Sequence, residues 1–113
     1  MLTLPTKKKW FDMELSGEKP EEYREIKPYW TTRFLKWLGF EKGEENKMLT
    51  MIKHGYFTKP RKIKFQNGYS ANAPYFITMC TPQIGTGKEE WGAEAGKEYY
   101  VLKIHEIIEK KNC

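Results

Sequence analysis

A small α+β domain, folded as a partly closed β-barrel of about five strands with two helices, is the fold class the sequence predicts. Three observations carry it. Period-two patterning dominates the second half of the chain, at Lys62–Gln66 and again at Glu98–Ile108. Helix-like apolar stripes occur only in two short stretches of the first 40 residues. Finally, there is neither an internal repeat nor an alternation of strands with helices of the kind that builds a parallel sheet. At 113 residues the chain fits one domain, read as residues 1–113.

Taken in order, Leu2-Thr3-Leu4 alternates and stops at Pro5, a residue that cannot donate to a ladder. Thr6 is placed to cap a helix whose stripe is Trp10, Phe11, Met13 and Leu15, and Gly17 suits the left-handed position beyond its end. Lys7, Lys8 and Lys9 oppose that helix's dipole, which implies another use for them. Glu21–Ile26 reads as a strand, broken by Pro28-Tyr29-Trp30. Thr31 or Thr32 then caps a helix with Phe34, Leu35, Trp37 and Leu38 on its apolar face and Gly39 as its stop. Glu41–Lys47 is an exposed loop by composition, and Met48–Ile52 fits helix or strand equally. Lys62–Gln66 is a strand, Asn67-Gly68 a turn, and Tyr75–Thr81 a buried strand. Residues 82–97, with four glycines, read as a long loop before the last strand, which sets Tyr100, Leu102 and Ile104 against Tyr99, Val101 and Lys103.

The net charge of +5 is spread evenly, at +2, +1 and +2 over residues 1–40, 41–60 and 61–113, so any polyanion must be met by local clusters rather than by a basic tail. Two such clusters exist, Lys7–Lys9 and Lys59 with Arg61, Lys62 and Lys64; both are also compatible with plain solvated surface. No apolar run approaches the ~18 residues of a membrane span, and no signal-peptide pattern follows the opening lysines. Cys80 and Cys113 make neither a disulfide framework nor a zinc set. A cytoplasmic protein without membrane contact is therefore expected. His54 and His105 lack ligand spacing, so no metal and no cofactor is expected. Gly85-Thr-Gly87-Lys88 lacks the first glycine and the final Ser/Thr of a phosphate loop, with Pro82 and Glu89 in those places.

The most informative stretch is Gly17-Glu-Lys19-Pro-Glu-Glu22-Tyr-Arg24. A helix hands over to a strand here, so Lys19 projects from the junction while Glu22 and Arg24 point the same way, about 6.6 Å apart along the strand. Spacing alone leaves two readings, a solvent-exposed ion pair on an edge strand and a charged site.

The spacing G-x-K-x-x-E-x-R matches the signature of the ASCH (activating signal cointegrator homology) domain, a relative of PUA domains. The resemblance extends to Leu-Thr-Leu-Pro at the start, to Ile26-Lys-Pro-Tyr-Trp30 followed by Arg33, to Asn67-Gly68-Tyr69-Ser70 and to Trp91-Gly92. It resembles the small prokaryotic and phage branch, with about residues 38–60 standing outside as an insertion. The resemblance implies a PUA-like β-barrel of about five to six strands with two or three short helices. It also implies a cleft for RNA, a nucleotide or a nucleoside. Lys19, Glu22, Arg24 and Arg33 would be site residues, joined by the loop carrying Asn67, Tyr69 and Ser70 and by Trp91. Arg24 offers a fork to phosphate or a base edge, Lys19 a point charge and Glu22 an acceptor, while Tyr69, Trp30 and Trp91 are stacking candidates that core packing would explain as well. Glu14 stands where relatives carry an apolar residue, which implies a less buried first helix.

Two functions from different classes follow. One is recognition of RNA or a nucleotide without chemistry. The alternative is a small hydrolase, since one branch of the family deacylates acylated cytidine nucleosides with the motif lysine and a threonine three residues later. Lys19 matches that lysine, but Glu22 occupies the threonine's place, leaving a Lys19–Glu22 acid–base pair as the catalytic option, on acylated cytidine or on RNA. A protein partner is not identified by any feature of the sequence.

Overall fold

A computed structural model describes residues 1–113. The chain runs β1 (Leu2–Pro5), α1 (Lys8–Leu15), β2 (Glu21–Glu25), α2 (Pro28–Leu38), α3 (Glu45–Lys53), β3 (Arg61–Gln66), β4 (Tyr75–Thr86), a 3₁₀ turn (Glu89–Trp91) and β5 (Glu98–Lys111). The strands form one curled mixed sheet, a half-barrel, in the order β1-β3-β4-β5-β2. Only β1 and β3 are parallel; the remaining neighbours are antiparallel. The small α+β barrel-like architecture expected from the sequence is thus the one found. No helix is long and apolar enough to cross a membrane.

Several element boundaries differ from expectation for identifiable reasons. Thr6 does not cap α1: its N–H continues the ladder to the Gln66 carbonyl (2.8 Å) and its hydroxyl donates to the Leu4 carbonyl (2.9 Å), so Lys7 becomes the cap position. Neither Thr31 nor Thr32 caps α2: the helix already opens at Pro28, with Lys27 as the cap position, and the proline's missing N–H costs nothing because the first-turn donors have no helical acceptor. Gly39 closes α2 at φ 81°, as its position predicted. Residues 82–86 continue β4 instead of entering a loop. Strand β3 begins at Arg61, opposite Cys80, so past Cys80 β4 has a neighbour only in β5 and tolerates Pro82.

Segment 38–60 contributes to the interior: α3 places Met48 and Ile52 in the main core with Leu2, Leu4, Phe34, Ile63, Phe65, Phe76, Tyr100 and Leu102. Phe34 and Tyr100 meet at 4.4 Å between ring centroids, and the Tyr100 hydroxyl is bonded to Thr31 (2.6 Å). A second, smaller cluster of Tyr23, Ala93, Tyr99 and Val101 lies on the other face, covered by Trp91. The start of β5 is therefore buried on both faces, which its two-sided apolar pattern at 99–102 reflects.

Strands β1 and β2 are the free edges of the sheet, and the half-barrel curls them toward each other. Arg24 of β2 reaches across, donating from Nη2 to the Pro5 carbonyl at the end of β1 (2.8 Å). The candidate site lies on this seam.

Candidate functional site

The seam is built around a buried charge network. Gly17, at φ 87°, ends α1 in the left-handed conformation, and the next turn is fixed by the Lys19 N–H donating to the Met13 carbonyl (2.9 Å). That geometry turns Lys19 inward: it is 0% exposed, beneath the rings of Trp10 and Tyr23. Its Nζ lies 2.8 Å from Glu14 Oε2 and 2.6 Å from Glu22 Oε1. Glu22 Oε1 also accepts the Tyr23 N–H (3.0 Å), and Glu22 Oε2 sits 3.1 Å from Arg24 Nη1. Glu14, expected on an exposed helix face, is instead 1% exposed, because its Oε2 is a buried acceptor for the Lys19 ammonium.

The two carboxyls differ in protonation. Burial, reinforced by the nearby Glu22 charge, pushes Glu14 up to about 9, so at neutral pH it carries its proton and interacts with Glu22 as an acid. Burial also opposes charge on Glu22, but Arg24, Lys19 and the hydrogen bonds from Lys19 and Glu14 outweigh it and hold its carboxyl below the usual range. The buried set is thus Lys19⁺, Glu22⁻ and Arg24⁺ with a neutral Glu14, one positive charge in excess. Two oxygens, Glu14 Oε1 and Glu22 Oε2, find no well-formed donor among the other groups. Glu22 Oε2 faces the Arg24 guanidinium at 3.1 Å, and both residues stand on the wall of a cavity.

That cavity, about 420 Å³, opens between the two sheet edges. Pro5, Thr6 and Lys7 line one side, Glu22–Glu25 the other, and Trp10, Trp30, Trp91 and Tyr99 supply its aromatic walls. Each tryptophan carries a cation over one face: Lys9 at 4.6 Å from Trp10, Arg24 at 5.1 Å from Trp30 and Lys88 at 4.5 Å from Trp91. Rim carboxylates are mostly engaged, Glu25 with Lys97 at 3.1 Å. The far wall depends on two glycines. A Cβ at Gly87 would lie 2.6 Å from Tyr23 Cζ, and Gly92, at φ 97°, lets Trp10 approach to 3.0 Å of where its Cβ would be. Gly87 therefore serves close packing, and no full helix follows it as a phosphate loop requires. The Tyr23 hydroxyl donates to Glu21 (2.5 Å) and accepts the Lys88 N–H (3.0 Å), fixing the strand to the 3₁₀ turn.

Of the residues singled out in sequence, Glu22, Arg24, Trp30 and Trp91 line this cleft together. Lys19 lies behind it, against Glu22, Trp10 and Tyr23 of its wall. Asn67 is indirect as well, its Nδ2 donating to the Thr6 carbonyl (3.0 Å) and so holding the β1 end in place. Tyr69, 86% exposed, and Ser70 do not line the cleft, because the 67–74 connection closes on itself through Asn67 N–H to the Pro74 carbonyl (3.0 Å). Arg33 is also outside, stacked on Tyr29 at 3.6 Å. Sequence reasoning did not place Trp10, Lys7, Tyr99 or Glu14 at the site. Glu14 did leave a signal, a carboxylate four residues after Trp10 in an otherwise apolar stripe. Cys80 offers no nucleophile, since burial pushes its thiol up to about 12.

Fold and site together define a small α+β half-barrel with an aromatic, cation-flanked cleft at its seam. Protein-family models, curated proteins and solved structures yield no match to the chain.

Proposed function

We propose that this chain is an ASCH domain whose seam cleft binds RNA or a nucleotide as a recognition site, without chemistry. One observation carries the reading: three tryptophans line one cleft together with the cations Lys7, Arg24 and Lys97. A base stacks on an indole and its phosphate meets the adjacent ammonium or guanidinium, the two contacts that a nucleotide needs and an apolar ligand does not. Glu22, on the cleft wall, holds the Arg24 guanidinium through Oε2 (3.1 Å), and Arg24 in turn lies over Trp30.

The deacylase alternative is less well supported. Lys19 is locked between two carboxyls away from the cleft, Glu22 is held ionised, and the Thr6 hydroxyl on the wall is spent on the Leu4 carbonyl. A general base needs to reach its proton directly or through one water, and of the carboxylates on the cleft wall Glu22 is tied to Lys19 and Arg24 and Glu25 to Lys97, with Glu94 beside them.

Tryptophan fluorescence titrated with short RNA tests the reading. Saturable quenching is expected, weakening with salt by about 0.7 in the log–log slope per phosphate contacted, with Trp91→Ala lowering affinity roughly 10- to 100-fold. No turnover of acylated cytidine nucleosides is expected. Turnover that Glu22→Gln lowers by about 10² while binding persists would establish the hydrolase instead.

A further inference from the structure

A second hollow of about 420 Å³ lies next to the cleft, lined by Met1, Leu2, Thr3, Arg33, Lys36 and Trp37. Two elements contribute to both cavities. Strand β1 gives Leu2 and Thr3 to one and Pro5 to the other, while α2 gives Arg33, Lys36 and Trp37 to one and Trp30 to the other. Arg33 of the second hollow lies 6.0 Å from the ring of Trp30, which lines the first, and 3.6 Å from that of Tyr29, which is half exposed. From the cleft outward there is an unbroken series of Arg24, Trp30, Tyr29 and Arg33.

Charge points the same way. Helix α2, Pro28–Leu38, contains no acidic residue, and its solvent face presents Arg33 and Lys36. On the opposite wall β1 is an edge strand, with one side of its backbone unused by the sheet. Leu2 to Pro5 spans about 10 Å at ~3.3 Å per residue, and Trp30 to Trp37 about 10 Å at ~1.5 Å per residue. That length accommodates about three nucleotides at the ~3.4 Å spacing of a stacked strand.

Resting on the nucleotide reading of the cleft, we infer that the ligand is a single strand rather than a lone nucleotide. One base is held in the seam cleft, and the chain passes over the first turns of α2 into the second hollow, its phosphates on Arg33 and Lys36 and a further base against Trp37. An aromatic-and-cationic track of this kind suits single strands, whose bases are free to stack on side chains. It does not suit a duplex, whose bases are already paired.

Affinity against ligand length tests this. The four nucleoside 5′-monophosphates are compared with randomised RNA of two, four and six residues, using the intact chain. Expected is a rise of about 10- to 100-fold from the monophosphates to the tetramer and a plateau beyond it. Lys36→Glu should bind monophosphates as the parent does, while losing most of that rise and at least about 0.7 of the salt slope for the tetramer. Equal affinity for monophosphate and hexamer, or a Lys36→Glu variant with the parent's length dependence, overturns the strand path and leaves the cleft reading intact. Absence of binding at every length overturns both.

Discussion

Replacing Lys19 with Met is expected to be the most destructive single substitution at the seam, costing about 3–5 kcal/mol of stability, a large share of the 5–15 kcal/mol typical of a domain. The methionine fills the space but leaves Glu22, 4% exposed, without its 2.6 Å partner, and leaves Glu14 without the cation against which it is packed. Removing the lysine together with both carboxyls is expected to be milder, with Arg24 keeping its bonds to the Tyr23 and Pro5 carbonyls. A triple variant, Glu14→Leu, Lys19→Met and Glu22→Leu, exchanges buried polar groups for apolar ones of similar size and should recover most of the loss, because a buried ion pair seldom outperforms good apolar packing. Urea unfolding of the two variants checks this; a Lys19→Met protein with the parent's midpoint would contradict the buried network. The triple variant should fold yet bind nucleotide more weakly, because Arg24 loses the carboxylate that holds it over Trp30.

The second large effect concerns pH. Glu14 has its folded value raised from 4.5 to about 9, so the folded chain holds a proton that the unfolded chain releases between those limits. Its contribution is fully favourable below about 4.5 and declines as pH rises toward 9, by up to ~1.4 kcal/mol per unit. Glu22 and Glu21 have the opposite sign: their lowered values contribute stability above the ordinary carboxylate range, and that contribution is lost as pH falls through it. Stability should therefore peak in mildly acidic solution and fall on both sides. Glu14→Gln imitates the protonated acid, keeping an acceptor for Lys19 and a donor toward Glu22, and should flatten the alkaline limb. Expected is a gain on the order of 1–3 kcal/mol at pH 8 and almost none at pH 4.5, read from thermal melts across the range. A parent whose stability rises steadily from pH 5 to pH 8 would show that Glu14 is ionised.

Much of this was legible from the sequence, and the illegible parts have a common cause. Period two placed Glu22 and Arg24 on one side of β2 with no knowledge of the fold, and left-handed glycines marked the ends of α1 and α2. What local pattern does not carry is which elements meet. Glu14 pairs with Lys19 only because a tight turn at Gly17 folds the chain back on itself, and Arg24 reaches Pro5 only because the sheet curls. Trp10 reads as a core residue on a helical stripe, and it is the closure of the Trp91-Gly92 turn against it that makes it a cleft wall. Tyr69, conspicuous in sequence, sits on a self-contained turn that solvent surrounds. The extension of β4 through Pro82 was hidden because proline in a strand reads as a break unless the length of the neighbouring strand is known.

The four tryptophans offer the most direct test of the seam cleft as the nucleotide site, because three of them line it and Trp37 does not. Each indole N–H gives one signal in a proton–nitrogen correlation spectrum, assignable through single Trp→Phe variants. On titration with the nucleoside 5′-monophosphates, the expected result is saturable movement of the Trp10, Trp30 and Trp91 signals with a common affinity while Trp37, bonded to the Lys62 carbonyl at 3.0 Å, stays in place. Unmoved cleft signals at saturating monophosphate, or movement of Trp37 alone, would contradict it.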